Sequence, residues 1–389
     1  MNSTRRSLLR ERLRVEAAAQ DWRALIAEYG TPLLVLDPGR VVEQYRLLTT
    51  HLRGVGLHYA VKALPHPAVL TAIEACGGGF DVAANTEVNL VRSLGISTDR
   101  CIYSHPIKKA ADIEHAYRAG IRTFVVDNPL EAQKFTGLPG DIEILVRLAF
   151  HNPSAKSDLS AKFGADPADA ELVVKQVLAA GPRFVGFSFH VGSQGSSVQP
   201  YRAALRTTVE LARQVRHSLG VSAATIDIGG GFPVSYREEM PPISVIGAII
   251  DDVLGPDHGF TVLAEPGRIL AAPCMTLLTG VVGTATRADR VWHYLDDGLY
   301  GSYSNILTED VHPPILALCE LDAGPPRPLA PVTLAGPTCD SVDVIARDYP
   351  MPPLAVGDIV VSPLMGAYTA VTSSRFNGIT ETPVVVSRR

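Results

Sequence analysis

The sequence predicts an α/β protein: a closed (β/α)8 TIM barrel joined to a smaller all-β domain. Three observations predict it. Between residues 57 and 264, short β-forming runs alternate with segments of helical character, a rhythm that implies a parallel sheet. Eight such strands fall within roughly 210 residues, which fits a closed barrel better than an open doubly wound sheet. After Gly267-Arg268 the texture changes to Val-, Leu- and Thr-rich runs between Gly and Pro turns, with little helix. A chain of 389 residues is also longer than one core usually serves, so two domains are expected.

The elements follow in order. Residues 5–29 have helical spacing, with Leu8, Leu9, Leu13, Trp22, Leu25 and Ile26 on one side, and Gly30-Thr-Pro32 stops them. Leu33-Leu-Val-Leu36 reads as a strand without a βα partner and is assigned to the all-β domain. The barrel strands are read at 57–63, 79–83, 101–104, 123–126, 142–148, 184–191, 225–228 and 261–264, with helices at 67–75, 86–94, 110–119 and 200–219 among the connections. The β domain takes runs at 275–286, 290–295, 331–334, 358–361 and 382–387. The expected division is therefore 38–270 for the barrel, and 1–37 plus 271–389 for the β domain.

Composition narrows the class of partner. A net charge of −5 argues against a nucleic-acid surface, which needs clustered Lys and Arg, and favours a small molecule. The five cysteines, Cys76, Cys101, Cys274, Cys319 and Cys339, are odd in number and show no C-x-x-C spacing, so neither a disulfide framework nor a metal site is expected. The N-terminus is charged through Glu16, unlike a signal peptide, and no apolar run approaches the ~18 residues that span a bilayer. A cytoplasmic protein is expected.

Strand one, His58-Tyr-Ala-Val-Lys62, delivers one of only seven lysines to its end. An amine held in an apolar wall shifts toward the neutral form that condenses with a carbonyl, although a surface lysine at a strand end is the plainer reading. In a barrel, chemistry sits at the C-terminal ends of the strands. There the chain keeps Asp81, Arg147, His190, Ser193, Gln194, Asp227, Gly229, Gly230, Gly231, Glu265 and Arg268. Singly, His190 reads as a core histidine, the triple glycine as a tight turn, and Glu265 with Arg268 as an ion pair. Together they are coherent. Gly229–Gly231, before a helix, lets N–H groups converge on an anion, with Arg268 and Ser193 as further donors. A lysine, a phosphate cradle and a carboxylate able to pair with a pyridinium nitrogen describe a site for pyridoxal 5′-phosphate.

These residues also carry a resemblance. Tyr59-Ala-Val-Lys62-Ala, Phe80-Asp-Val-Ala, Ser188-Phe-His190-Val-Gly-Ser193, Asp227-Ile-Gly-Gly-Gly-Phe-Pro233, Glu265-Pro-Gly-Arg268, Asp297-Gly-Leu-Tyr300-Gly-Ser, Gly336-Pro-Thr-Cys339-Asp340 and Gly366-Ala-Tyr368 resemble the fold-type III decarboxylases of basic amino acids, and among them the ornithine decarboxylases. The resemblance runs from about residue 30 to the C-terminus. It implies an alanine-racemase-like fold and a homodimer with shared active sites. Lys62 is then the cofactor's covalent anchor, Glu265 the partner of the pyridine nitrogen, and His190 the flat stack on the ring. Ser193, Gly230, Arg268 and Tyr368 hold the phosphate, while Asp81 and Arg147 line the cofactor. Tyr300, Cys339 and Asp340 come from the second subunit, Cys339 as proton donor to Cα and Asp340 as the seat of the substrate's distal ammonium. An intersubunit ion pair between Lys162 and Asp343 is also implied.

One residue departs from the pattern: ornithine decarboxylases usually place Asp where Glu309 stands. The resemblance thus implies decarboxylation of a basic amino acid, ornithine first, lysine second and arginine third, as in polyamine biosynthesis. Three alternatives differ from it: a modified or carrier-bound amino acid in specialised biosynthesis, an inactive antizyme-inhibitor-like binding protein, and a racemase. The presence of Lys62, Glu265, Arg268 and Cys339 argues against the second, and a carboxylate rather than an arginine at the ring nitrogen argues against the third. Cys339-Asp340-Ser341, in place of Cys-Glu-Ser, disfavours diaminopimelate.

Overall fold

The computed structural model describes residues 3–325 and 327–387. The chain divides into two compact units. One comprises Val41–Val234 and Met240–Leu270, and the other Met1–Arg40, Ser235–Glu239 and Ala271–Arg389. In chain order the strands are β1 (Leu33–Leu36), β2 (Val55–Ala60), β3 (Gly79–Val82), β4 (Cys101–Tyr103), β5 (Thr123–Val126), β6 (Glu143–Leu148), β7 (Arg183–Phe189), β8 (Thr225–Asp227), β9 (Thr261–Ala264), β10 (Met275–Arg287), β11 (Arg290–Leu295), β12 (Leu316–Ala317), β13 (Ala330–Ala335), β14 (Val344–Met351), β15 (Ile359–Pro363) and β16 (Val384–Val386).

In the first unit β2 to β9 close into a parallel barrel, β9 returning to β2 through Val55↔Val262 and Leu57↔Ala264. Helices cover the outside, so the strands are apolar on both faces and read as short continuous runs. Ile102, Val125 and Leu145 pack together inside, against Val185 and Leu263. The first barrel strand stops earlier than its sequence suggests. β2 ends at Ala60, and Val61–Ala63 is a 3-10 turn that carries Lys62 just past the strand. The Tyr59 hydroxyl donates to Leu64 O at 3.1 Å, and the Leu64 N–H to Val61 O at 3.1 Å, which pins that turn. No helix follows Gly229–Gly231 directly; the next begins at Ile243.

In the second unit the strands run in the order β12-β15-β10-β11-β13-β14, with β1 also against β10, and β16 beside β1. β10 is 13 residues long and changes role midway. Its first half is buried between β1 and β15, then a bulge at Val281/Gly283 turns its exposed half onto β11. The sequence reading missed β12 and β14. β12 has two residues, and β14 holds Asp348 at φ 50° and Pro350, both uncharacteristic of a strand.

The expected single helix at 5–29 is two, Ser3–Gln20 and Trp22–Tyr29, broken where Asp21 takes φ 47° and its Oδ1 accepts the Ala24 N–H at 3.2 Å. Leu13 and Trp22 enter a core with Leu33, Leu278, Leu316 and Val361. Leu8, expected beside them, is 70% exposed. Its place on the inner side is taken by Arg6, whose Nε and Nη2 donate to the two Glu320 oxygens at 3.0 and 2.7 Å. A bidentate pair satisfies both charges where a lone buried charge would be costly.

Candidate active site

Strand register sets one charged layer at the top of the barrel. Ala60 lies beside Asp81, Arg147 beside Ser188, and Ser188 beside Asp227. Asp81 and Asp227 are buried in strands that are otherwise apolar. Lys62 Nζ reaches Asp81 Oδ2 at 2.9 Å. The apolar wall expected around Lys62 is therefore replaced by a carboxylate, with the lysine side chain 41% exposed, because the strand ends before it and the turn swings it over Asp81. Close by, Glu87 accepts the Ala83 N–H at 2.6 Å, and burial pushes its carboxyl up to about 7 despite that donor, with Asp81 adding to the rise.

Glu265 is buried beside Asp227. Burial, then the Asp227 and Asp81 charges, raise the Glu265 carboxyl well above the usual range, against the pull of Lys62 and Arg147. Burial also takes Asp227 up to about 6, with the Gly229 N–H at 2.9 Å and the neighbouring Glu265 carboxyl holding it down. Glu265 is thus the member of the pair that keeps a proton. His190 is held well below the ordinary histidine range by burial, then by the Arg147 and Lys62 charges, so its ring is neutral. The Gly192 N–H donates to its Nδ1 at 3.0 Å and fixes the ring's orientation.

The glycine turn makes a narrower cradle than the sequence suggests, since Asp227 occupies the Gly229 N–H. The N–H groups of Gly230 and Gly231 have no hydrogen-bond partner among the described residues. Gly231 has φ 82°, and a Cβ there would lie 2.0 Å from Gly192 O, so the glycine turn and the 190–193 loop approach as only glycine permits. That loop is tied down in turn. Asn152 Nδ2 donates to Val191 O at 2.6 Å and Ser193 N to Ser157 O at 2.9 Å, while Gln194 exchanges hydrogen bonds with both backbone groups of Val234. Arg268 is buried at the start of a short helix, Arg268–Ala271.

Buried Asp81 Oδ1, Arg147 Nε and Nη2, Ser188 Oγ and Asp227 Oδ2 lack hydrogen-bond partners among the described residues. Leaving such groups unpaired is costly, so a polar group normally completes them. Together with a lysine, a protonated acid and free glycine N–H groups, they fit pyridoxal phosphate.

The remaining candidates lie in the β unit. Tyr300 donates to Asp340 Oδ2 at 2.5 Å, and Asp340 Oδ1 accepts the Val342 N–H at 3.0 Å. Cys339 is exposed on this unit beside Asn377. Glu309 ends the helix Ser304–Glu309, where an irregular polar connection was expected, and Tyr368 sits at φ 54° in the turn after β15. Asp343 is 3% exposed and accepts from Leu299 N, Thr338 N and Thr338 Oγ1, so an ion pair with Lys162 of another copy would find both oxygens engaged.

Several residues of these sites were missed in the sequence. Glu87 carried one usable signal, an acid in the first turn of the helix Asn85–Ser93. Phe376 and Asn377 carried another, an Asn-Gly turn between the β runs at 358–361 and 382–387. Ser188 stood in the Ser188–Ser193 motif but was given no role of its own, because a serine inside a strand reads as filler.

The family model for the pyridoxal-binding domain of pyridoxal-dependent decarboxylases matches residues 11–272. A lysine/ornithine decarboxylase of Vibrio vulnificus, solved with putrescine, is 41% identical over 94% of this chain and 96% of its own, with a TM-score of 0.86. The lysine/ornithine decarboxylase of Selenomonas ruminantium is 34% identical over 94% of this chain and 91% of its own. The arginine decarboxylase of Paramecium bursaria Chlorella virus, solved with agmatine, is 28% identical over 94% and 98%, with a TM-score of 0.86. A barrel mouth that fits the cofactor, joined to near-full-length likeness to enzymes named for lysine, ornithine and arginine, leaves one assignment: the chain belongs to the fold-type III pyridoxal-phosphate-dependent decarboxylases of basic amino acids.

Proposed function

We propose that this decarboxylase takes L-ornithine first, L-lysine second and L-arginine third, in active sites that two copies of the chain build together. Bound pyridoxal phosphate supplies an electron sink for the pair left at Cα when carbon dioxide departs. The chain's own groups do the rest. Lys62 would hold the cofactor, with Asp81 at 2.9 Å from its Nζ fixing the position of the amine. Glu265, whose burial keeps a proton on its carboxyl, would pair with the ring nitrogen and favour its charged form. Neutral His190 would stack on the ring without adding a competing charge. The Gly230 and Gly231 N–H groups, Ser193, Arg268 and Tyr368 bind the phosphate, and Arg147 completes the ring's polar edge.

The homodimer rests on the exposure of the other half of the chemistry. Cys339 is exposed in the β unit, with Val342 48% and Phe376 39% exposed around it. A thiol that protonates Cα works in a water-poor site, so a second copy is assigned to cover it. Mixing Lys62→Ala, which is inactive, with Cys339→Ala, which fails in amine formation, should restore amine formation at about a quarter of wild-type sites after random exchange, since half the dimers then pair one intact lysine with one intact thiol. No recovery, with exchange proven by mass, removes the shared site.

Substrate preference rests on Glu309 and Asp340. Two acids facing one end of a pocket call for a cationic terminus, because an uncharged one leaves buried negative charge unpaired. The single observation that favours ornithine is the anchoring of the Glu309 helix. Ser304 Oγ bonds Thr372 Oγ1 at 2.8 Å, Asn305 Nδ2 donates to Ala367 O at 3.2 Å, and Asp310 and Val311 close the helix end on Ile306 and Asn305. With that backbone held, the extra methylene of Glu over Asp shortens the pocket by about 1.5 Å. Glu309→Asp is expected to shift the kcat/KM ratio among ornithine, lysine and arginine at least about tenfold toward the longer substrates. Carbon-dioxide release from the three amino acids measures it, and an unchanged ratio means that Glu309 does not face the substrate. The diamine product fits polyamine biosynthesis, and five free cysteines fit the reducing cytoplasm.

A further inference from the structure

Asn377 grips Cys339 at two points. Its Oδ1 accepts the Cys339 N–H at 3.1 Å, and its Nδ2 donates to Cys339 Sγ at 3.4 Å. To do so it occupies φ 56°, a left-handed conformation that a non-glycine residue adopts at a cost, followed by Gly378 at φ 72°. The rest of its segment is fastened to Tyr300. Ser374 N donates to Tyr300 O at 2.8 Å, and the Phe376 ring lies 4.6 Å from the Tyr300 ring. One short stretch therefore orders the thiol through Asn377, and Asp340 through Tyr300. Within one copy both Asn377 and Cys339 are exposed, so the fold of that copy gains little from these hydrogen bonds. Two hydrogen bonds held on one cysteine, with so little gained in stability, point to a functional constraint.

We propose that Asn377 is the positioning residue for proton delivery by Cys339. The proposal rests on the reading that Cys339 protonates Cα. In that step the thiol S–H bond breaks and a C–H bond forms at Cα, using the electron pair freed when the bond to the carboxylate breaks. Sulfur keeps its own pair as a thiolate. The Asn377 Nδ2–H, already aimed at Sγ, fixes the thiol's direction and stabilises that negative charge, and a proton from solvent then restores the thiol.

Two readouts in the holoenzyme separate this role from a structural one: the rate of Cys339 alkylation by iodoacetamide against pH, followed by peptide mass, and the amine formed per carbon dioxide released. Two variants are used. Asn377→Gly removes the amide and relieves the backbone. Asn377→Asp keeps an acceptor for the Cys339 N–H but sets a negative charge against sulfur. Alkylation at neutral pH is expected to slow in both, about tenfold in Asn377→Asp. Amine per carbon dioxide is expected to fall below one in both, because protons then reach positions other than Cα. Cys339→Ala is the reference for the underlying reading. If it keeps amine and carbon dioxide equal, Cys339 is not the proton donor and the reading of that site fails. If it breaks the equality while both Asn377 variants match wild type in alkylation and in product ratio, the role of Asn377 alone is overturned.

Discussion

Lys62→Ala is expected to lower turnover by at least about 10⁴-fold, the scale seen when a covalent catalytic group is removed from an otherwise intact site. The loss should be chemical and not structural. Lys62 stands in a turn past the end of β2, its side chain partly exposed, and the Tyr59–Leu64 bond that pins the turn does not involve it. Its removal leaves Asp81 buried without its cation, so a modest drop in melting temperature accompanies the loss. Borohydride reduction followed by peptide mapping checks the assignment directly. Label on Lys62 in the wild type and none in the variant is the expected result, and label on another lysine refutes it.

Glu265→Gln should be the next most damaging change, about 10²–10³-fold in kcat with cofactor still attached, because a neutral amide cannot hold a proton on the ring nitrogen. It carries a second signature in the cofactor-free protein. Asp227 stands at about 6 in the folded chain against an ordinary value of 3.8, and Glu265 is raised further from 4.5. Groups whose folded values are raised bind more protons folded than unfolded. Their contribution to stability is full below about pH 4 and is lost as pH climbs through 6. The melting temperature of cofactor-free wild type should therefore fall from pH 4.5 to 7.5 relative to Glu265→Gln, in which the paired acid is gone. Parallel curves would mean that the two carboxyls are not coupled in the way their burial requires.

Much of this was legible in the sequence because barrel strands and their terminal motifs are local. Lys62, Asp81, His190, Glu265 and the triple glycine each follow a recognisable apolar run, so period and punctuation locate them. What stayed hidden depended on contacts between distant segments. The break at Asp21 follows from a local turn, but the inward face of the first helix is set by Glu320, and no periodicity in residues 3–20 announces that Arg6 faces the core. Strand β14 was masked by Asp348 and Pro350. Asn377 gains its meaning only when the fold brings it to Cys339. The apolar wall expected around Lys62 was misjudged for the same reason, since the turn after Ala60 delivers the lysine to a carboxylate on the next strand.

The placement of β1 governs the order in which the chain can be completed during synthesis. β1 precedes every strand of the barrel, yet its two neighbours are β10 and β16, at Leu33↔Leu278 and Leu34↔Val384. Every strand of the barrel leaves the ribosome before either neighbour exists, so the barrel can close while Leu33–Leu36 is still an uncovered apolar edge. Such an edge invites pairing with another nascent chain. Because β16 follows every other described strand, that edge is sealed only after all of them have been made. Chains that stop before Val384 are consequently the forms most prone to aggregate, while a chain that has reached Val386 carries its own cover.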